Sequence, residues 1–578
     1  MSELTVNDVL AAPESELAQT PQGREAVRRA AEVFLAKHPA DCAACVKAGN
    51  CAIQKVCAVF RPDLPPVAFD GKRERLTAGV DVVAQKCVKC GRCVGFLKQA
   101  GVADPAGTMP PASCPPFPLS GMLPDLCPAG ALIDAKAGKR SGCAEVVKID
   151  SVDVTDGFGT PVQIEKSPDG SVARIRPVGG GVISDAARYC FEGLSRNRLD
   201  RPYVKIDGRL TECSWTEALA AVASKMSQTA PDRIAALFGR YADCETVLAV
   251  RDLLGLVGAK AVDAGTRPLW LDLNSRQSWL FNTPFNRIAE ADGLLVVGAN
   301  PLWECPPAGF ALRRNPMPKA FVGMSEKVEA FCAVAGKKPR ELREIRDGER
   351  ASPLQNAKNP MVVVGDSVLN RADAPALMDL IYGICKKYGV IRDDWNGFNY
   401  LNANTGSAGA LELGAVAENP LRPEIAAGSF DFVYLVDEDG ITPADAGGAF
   451  VVYQGIYACP SALTADVVLP SLSFMEKRAT YVNMRGVAQS TAVVSPPVGQ
   501  SRESWKIPRA LSGFLGTAPL PYDDLTEIRD RLAGENVVFY NRGAANPADD
   551  KPFGTAGKID DTPIETTVAG LAKGGART

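Results

Sequence analysis

The sequence predicts an α/β protein: a cysteine-rich metal-binding segment, then a small antiparallel β unit, then a large domain on parallel sheets. Three observations carry this. From about residue 203, continuous apolar runs alternate with helical stretches, the pattern of strands buried on both faces. Residues 147–178 alternate apolar and polar side chains instead, as half-buried strands do. Ahead of both, nine of the 17 cysteines fall within the first 127 residues, in tight groups.

The totals exclude several classes. A net charge of −3 and a pI near 5.7 give no electrostatic case for nucleic acid, and no basic stripe is present. No apolar run reaches the ~18–20 residues of a membrane helix, so membrane contact is expected only through partners. An odd cysteine count with C-x2-C spacing in a long chain reads as metal ligation in a reducing compartment, not as a disulfide scaffold. The first twenty residues carry Glu3, Asp8, Glu14 and Glu16 and no Lys or Arg. They have neither the apolar core of a secretion signal nor the make-up of a mitochondrial presequence.

Taken in order, residues 22–37 read as an amphipathic helix, with Val27, Ala30, Ala31 and Phe34 at helical spacing. It is expected to end at His38-Pro39, because the residue before proline avoids the helical region. Residues 42–57 and 87–98 are the cysteine segments. Residues 102–128, rich in Pro and Gly, read as loop. The later strands are expected at Ile234–Phe238, Leu294–Val297, Met361–Val364, Phe432–Val436, Phe450–Val452 and Val467–Leu469. Helices such as 242–257 and 373–388 lie between them. After about residue 535 the chain turns polar and reads as an extended or mobile tail.

Two constellations carry chemistry. Cys87, Cys90 and Cys93 form C-x2-C-x2-C, followed at a distance by Cys127-Pro128, the logic of a ferredoxin cubane. Zinc is the competing reading, although it would more usually show two C-x2-C pairs. Cys114, also before a proline, competes with Cys127 as the fourth ligand. Lys86, Lys89 and Arg92 lie among these cysteines and offer charge to offset a cluster. The other group is His38, Cys42, Cys45 and Cys51, built on the chain's one histidine. One imidazole among three thiolates removes a negative charge from the ligand set and shifts a cluster's potential. A Cys3His zinc site is the alternative, and Cys57 is a spare thiol.

The rest offers little catalysis. With no second histidine, His-based triads and shuttles are excluded, and neither G-x-S-x-G nor a P-loop is present. Gly298-Ala299-Asn300-Pro301 after a strand is a candidate phosphate-facing turn, though such a Gly is more often plain turn chemistry. Cys143, Cys190, Cys213, Cys244, Cys305, Cys332, Cys385 and Cys459 read as buried bystanders, with Cys244 and Cys305 first in line as ligands.

With these residues in hand, the chain resembles the large iron–sulfur subunit of respiratory complex I, NADH:ubiquinone oxidoreductase. H-x3-C-x2-C-x5-C is matched at His38, Cys42, Cys45 and Cys51, C-x2-C-x2-C at Cys87, Cys90 and Cys93, and D-L-C-P-x-G-A-L at Asp125 to Leu132. Further matches include Arg198-Leu199-Asp200-Arg201-Pro202, Val452-Tyr453-Gln454-Gly455, Ala465 to Pro470 and Tyr481-Val482-Asn483, so the likeness spans roughly residues 22–535.

The resemblance implies two [4Fe–4S] clusters, one on His38, Cys42, Cys45 and Cys51, the other on Cys87, Cys90, Cys93 and Cys127. It implies a domain organisation of an N-terminal extension (1–21), a two-cluster domain (22–146), a small β-rich domain (147–202), a molybdopterin-oxidoreductase-like α/β scaffold (203–535) and a polar C-terminal tail (536–578). No molybdopterin is expected. The implied role is electron relay in the peripheral arm, from NADH and flavin on a partner toward quinone-side subunits, with no substrate site on this chain.

Departures from the family pattern add expectations. The family's N-terminal [2Fe–2S] ferredoxin domain has no counterpart in these residues, so a separate small [2Fe–2S] polypeptide is expected to supply that cluster. A third tetranuclear site found in some bacterial members would need C-x2-C-x3-C, and residues 147–175 hold no cysteine. That favours the matrix side of the mitochondrial inner membrane, with the cytoplasmic face of a bacterial membrane as the alternative. The segment from Cys93 to Cys127 is shorter than usual, which bears on the fourth ligand. The rival readings are a catalytic molybdopterin oxidoreductase, a non-conducting scaffold, and one component of a soluble NAD-linked hydrogenase.

Overall fold

A computed structural model describes residues 4–39, 41–102, 109–111, 114–136, 146–325, 331–540 and 551–566. Cys143 and parts of the Pro-rich stretch and of the tail lie outside these. The chain divides into two compact units: residues 1–149 with 162–189, and residues 150–161 with 190–578. The β-rich stretch expected at 147–202 is shared between them.

The first unit is built on helices. One spans Pro21–Leu35, started by Thr20, whose hydroxyl accepts from the Gly23 amide at 3.1 Å, and by Pro21 at its first position. It buries Val27, Ala31 and Leu35 against Ile53, Val56 and Phe60 of the helix Ala52–Phe60. From the residues before it, Val9 and Ala12 lie in the same core. Val88, beside Cys87, and Ala129, beyond Cys127, close that core, so one apolar cluster anchors both cysteine segments. Strands β1 (Glu74–Thr77), β2 (Val80–Val82) and β3 (Leu132–Asp134) form an antiparallel sheet. The expected loop contains a short helix, Met122–Leu126, that delivers Cys127. Strands β4 (Val147–Val152), β5 (Pro161–Lys166) and β6 (Val172–Pro177) make the small sheet, β5 and β6 pairing antiparallel.

Among the described residues, the second unit contains two large sheets and a two-stranded antiparallel ribbon, Thr480–Val482 with Ala488–Ser490. The strands of the large sheets are β7 (Tyr203–Ile206), β8 (Arg209–Glu212), β9 (Ile234–Phe238), β10 (Ala261–Ala264), β11 (Gly293–Val297), β12 (Lys319–Val322), β13 (Ala333–Gly336), β14 (Pro360–Val364), β15 (Phe398–Tyr400), β16 (Phe432–Val436), β17 (Phe450–Gly455) and β18 (Val467–Pro470). One sheet runs β10-β9-β16-β17-β18-β7-β8, parallel except at β7 and β8. The other, β13-β12-β11-β14-β15, is wholly parallel. All six expected strands are present, and β9, β11, β14 and β16 are buried along their whole length, which is why they read as unbroken apolar runs. Helices Cys244–Leu256 and Ala374–Lys387 lie where helices were expected.

The described part of the tail is extended but pinned. Phe553 packs against Phe398 and Tyr382, with ring centroids 4.4 and 4.9 Å away. Ile564 is wholly buried. Its amide donates to the Lys337 carbonyl at 2.9 Å, and its carbonyl accepts from the Met324 amide at 2.7 Å.

Candidate iron–sulfur centres

The second cysteine group surrounds a small open cavity. Cys87, Cys90, Cys93 and Cys127 all line it, with Val88, Pro128 and Leu132 among the apolar walls. Three backbone features aim the thiols inward. Lys89 and Gly91 both have positive φ, 56° and 75°, coiling the C-x2-C-x2-C segment around the cavity. Arg92 then starts a helix that carries Cys93. Cys127 caps the end of the helix Met122–Leu126. The Lys89 amide faces the Cys87 sulfur at 3.4 Å, and the Leu132 amide faces the Cys127 sulfur at 3.4 Å. Burial pushes the Cys87 thiol up and the Cys93 thiol to about 11, so a metal must displace their protons to bind. Cys114 is not on the cavity wall. Its buried thiol, raised to about 11 by burial and then by Asp185, points at the Pro115 carbonyl, 3.5 Å away.

The first group is assembled from two helix ends and a turn. The helix Pro21–Leu35 stops just before His38, whose amide returns to the Leu35 carbonyl at 2.8 Å. Cys42 begins a 3-10 turn, Cys42–Ala44, that Cys45 closes. Cys51 stands at the start of the helix Ala52–Phe60. Burial raises the Cys51 thiol, and Cys45 and Cys42 add to the shift as near neighbours. The His38 Nδ1 atom is buried with no hydrogen-bond partner. Burial, then the Lys86 ammonium, lowers the imidazole's pKa, favouring the neutral ligating form, while Asp41 opposes them. Cys57 also neighbours Cys42 and Cys51.

A zinc ion bound at about 2.3 Å by each sulfur would draw its thiolates to within about 4 Å of one another. Among the described residues, no three His, Cys, Asp or Glu side chains stand close enough together to hold a metal ion. Cys87, Cys90, Cys93 and Cys127 do share the wall of one cavity.

The two groups meet on the segment Cys127 to Gly130. The Pro128 carbonyl accepts from the Cys51 thiol at 3.5 Å and from the Ala52 amide at 3.1 Å. Of the basic residues noted by sequence, Lys89 and Arg92 are exposed, and only Lys86 is buried, holding Asp41 at 2.7 Å and neighbouring Cys45. Sequence reasoning misses Lys47: it is buried, and its ammonium donates to the Pro124 carbonyl at 2.6 Å. The available signal is its place two residues after Cys45.

The phosphate-facing role of the turn at Gly298 meets an apolar neighbour. A Cβ placed on Gly298 would lie 2.9 Å from the Ile564 side chain. Cys244 and Cys305 are fully buried, and Cys305 is hydrogen-bonded to Asp156. Among the described residues, no helix is long and apolar enough to cross a membrane.

A family model described as molybdopterin oxidoreductase matches residues 198–514. Another, described as the NADH-ubiquinone oxidoreductase-G iron-sulfur binding region, matches residues 28–63, a span that contains His38, Cys42, Cys45 and Cys51. NADH dehydrogenase [ubiquinone] iron-sulfur protein 1, mitochondrial, of Solanum tuberosum is 33% identical over 544 residues, covering 89% of this chain and 72% of that protein. The NADH-ubiquinone oxidoreductase 75 kDa subunit of Reclinomonas americana is 30% identical, covering 89% and 80%. A subunit of the NADH-quinone oxidoreductase of Rickettsia conorii is 29% identical, covering 94% and 84%. Among solved structures, acetylene hydratase from Pelobacter acetylenicus is similar at a TM-score of 0.47 and 11% identity, covering 64% of this chain and 69% of that one.

Proposed function

Because this chain belongs to the family of the 75 kDa subunit of NADH:quinone oxidoreductase, an iron–sulfur electron-transfer component of complex I, we propose that it relays electrons through two [4Fe–4S] sites. One site is Cys87, Cys90, Cys93 and Cys127, and the other is His38, Cys42, Cys45 and Cys51. The cavity walled by the four cysteines of the former is the observation that carries the reading. When bound, the clusters supply one-electron redox chemistry. The chain's own part is to ligate, to exclude water and to set charge. The amides of Lys89 and Leu132 point at ligand sulfurs, and such hydrogen bonds favour the more negative, reduced state. Its partners on this reading are the flavin-bearing and quinone-side subunits of the peripheral arm, in the respiratory chain at the mitochondrial inner membrane or its bacterial counterpart.

The large unit is read as a scaffold without molybdopterin, and its strand ends support that. In open parallel sheets, nucleotides lie beyond the carboxyl ends of the strands where the strand order reverses. These points fall between β11 and β14 and between β9 and β16. At the former, a Cβ on Gly365 would lie 2.4 Å from the Gly298 carbonyl, and Ile564 covers Gly298. At the latter, a Cβ on Gly239 would lie 1.8 Å from the Asp437 carbonyl oxygen. Asp437, Glu438 and Asp439 follow β16 at that end, where burial raises the pKa of all three carboxyls, and none of them offers a cation to a phosphate.

The test is iron, sulfide and zinc content with low-temperature EPR on the dithionite-reduced chain. Roughly eight irons and two tetranuclear signals are expected. Zinc in place of iron, or about four irons, would overturn the two-site reading.

A further inference from the structure

Lys47 is a buried cation with no counter-ion of its own. It is 8% exposed, and its ammonium is held by the neutral Pro124 carbonyl. Among the described residues it forms no ion pair. Asp125, whose charge is felt at Lys47, is engaged by Arg188 at 2.6 Å and Arg176 at 3.7 Å. Other buried cations of the protein are paired: Lys86 with Asp41, Arg267 with Asp263, Lys477 with Asp243. Withdrawing an unpaired charge from water is among the costliest things a fold can do, so compensation is expected from outside the polypeptide.

The position of Lys47 identifies the source. Lys47 follows Cys45 by two residues, and a Cβ on Gly130 would lie 3.3 Å from the Cys45 sulfur and 3.2 Å from the Lys47 Cβ. Its ammonium reaches the helix that ends in Cys127, and a thiolate at Cys127 would stabilise it. It therefore stands between a ligand of one site and a ligand of the other. A cubane held by thiolates is an anion, and taking up one electron makes it more negative with no bond formed or broken.

We propose that Lys47 is the shared counter-ion of the two cluster sites, a positioning residue whose fixed charge favours the reduced state at both. The proposal rests on the reading that both groups hold iron–sulfur clusters. It assigns Lys47 two opposite effects: it destabilises the chain without clusters and stabilises the reduced chain with them.

The test compares the full-length wild type with Lys47→Met and Lys47→Arg, each with and without reconstitution by iron and sulfide. Midpoint potentials come from an EPR-monitored titration with dithionite, and thermal unfolding is followed on the cluster-free chains. Lys47→Met should shift both tetranuclear potentials to more negative values, and Lys47→Arg should keep them near wild type. The cluster-free Lys47→Met chain should melt above cluster-free wild type, because an unpaired buried charge is gone. Unchanged potentials in Lys47→Met, or a cluster-free melting point at or below that of wild type, overturn the proposal. If Lys47→Met takes up no iron, the cluster-free melting point alone decides. Wild-type chain that takes up no iron overturns the cluster reading itself, a result separable from any effect of the substitution.

Discussion

The Cys51 thiol donates to the Pro128 carbonyl at 3.5 Å, so the peptide that follows a cysteine of one group supports a cysteine of the other. The Ala52 amide shares that carbonyl, which ties the start of the helix Ala52–Phe60 to the same segment. Disturbing Cys127 to Gly130 should therefore be felt at the first group. Gly130 has φ of 69°, and a methyl there would press on Cys45 and Lys47. Gly130→Ala carries about 1–2 kcal/mol of left-handed strain before any clash. The expected result is iron falling from roughly eight toward roughly four, with the signal of the His38 site lost. Iron analysis and EPR of the purified variant check this, and two intact signals would contradict it.

The choice of fourth ligand is open to a direct comparison. Cys127 lines the cavity, while Cys114 does not. Cys114→Ser should leave both tetranuclear signals in place. Cys127→Ser should remove one signal and about half the iron. The reverse pattern would reassign the ligand.

The six main strands were legible because both faces of each are covered, which leaves a continuous apolar run. The cysteine groups were legible because ligand spacing is local. What was not legible is long-range or quiet in composition. Nothing local says that β9 pairs with β16 while β11 pairs with β14, and so makes two sheets of one expected pattern. β13 and β15 are short, and β13 is half exposed. The β7–β8 hairpin had a signal, the Asp207-Gly208 pair, which adopts the left-handed turn such pairs favour. Lys47 escaped notice because a lysine between cysteines reads as solvated charge, and only the fold shows it buried. The tail escaped because two apolar anchors, Phe553 and Ile564, are diluted in polar sequence.

Buried acids in the large unit should make its stability depend on pH. Asp153 is pushed up to about 8 by burial and then by Asp156, and Asp156 to about 6 by burial. One oxygen of each has no hydrogen-bond partner. Their folded values lie above the usual carboxylate range, so the folded chain retains protons that the unfolded chain gives up. Their contribution is full at acid pH and is lost as pH rises through their folded values. The melting temperature should fall between about pH 5 and about pH 8. Asp153→Asn keeps an acceptor for Thr155 and should flatten that slope, measured by calorimetry across the window. A slope identical to wild type would mean that Asp153 does not titrate there.

The C-terminal strap should behave as part of the five-stranded sheet. Thr566 donates its amide to the Met324 carbonyl at 2.7 Å, continuing the ladder that Ile564 begins, and Ile564 covers Gly298. Arg371 clasps the approach, donating to the Asp560 carbonyl at 2.7 Å. Ile564→Ala removes a wholly buried side chain and should cost about 2–5 kcal/mol, whereas exposed Lys558→Ala should cost nothing measurable. Hydrogen exchange should show the amides of Met324, Ile564 and Thr566 protected in wild type and exposed together in Ile564→Ala. If their exchange is fast in wild type, the strap does not hold the strand ends, and the covered turn at Gly298 is open after all.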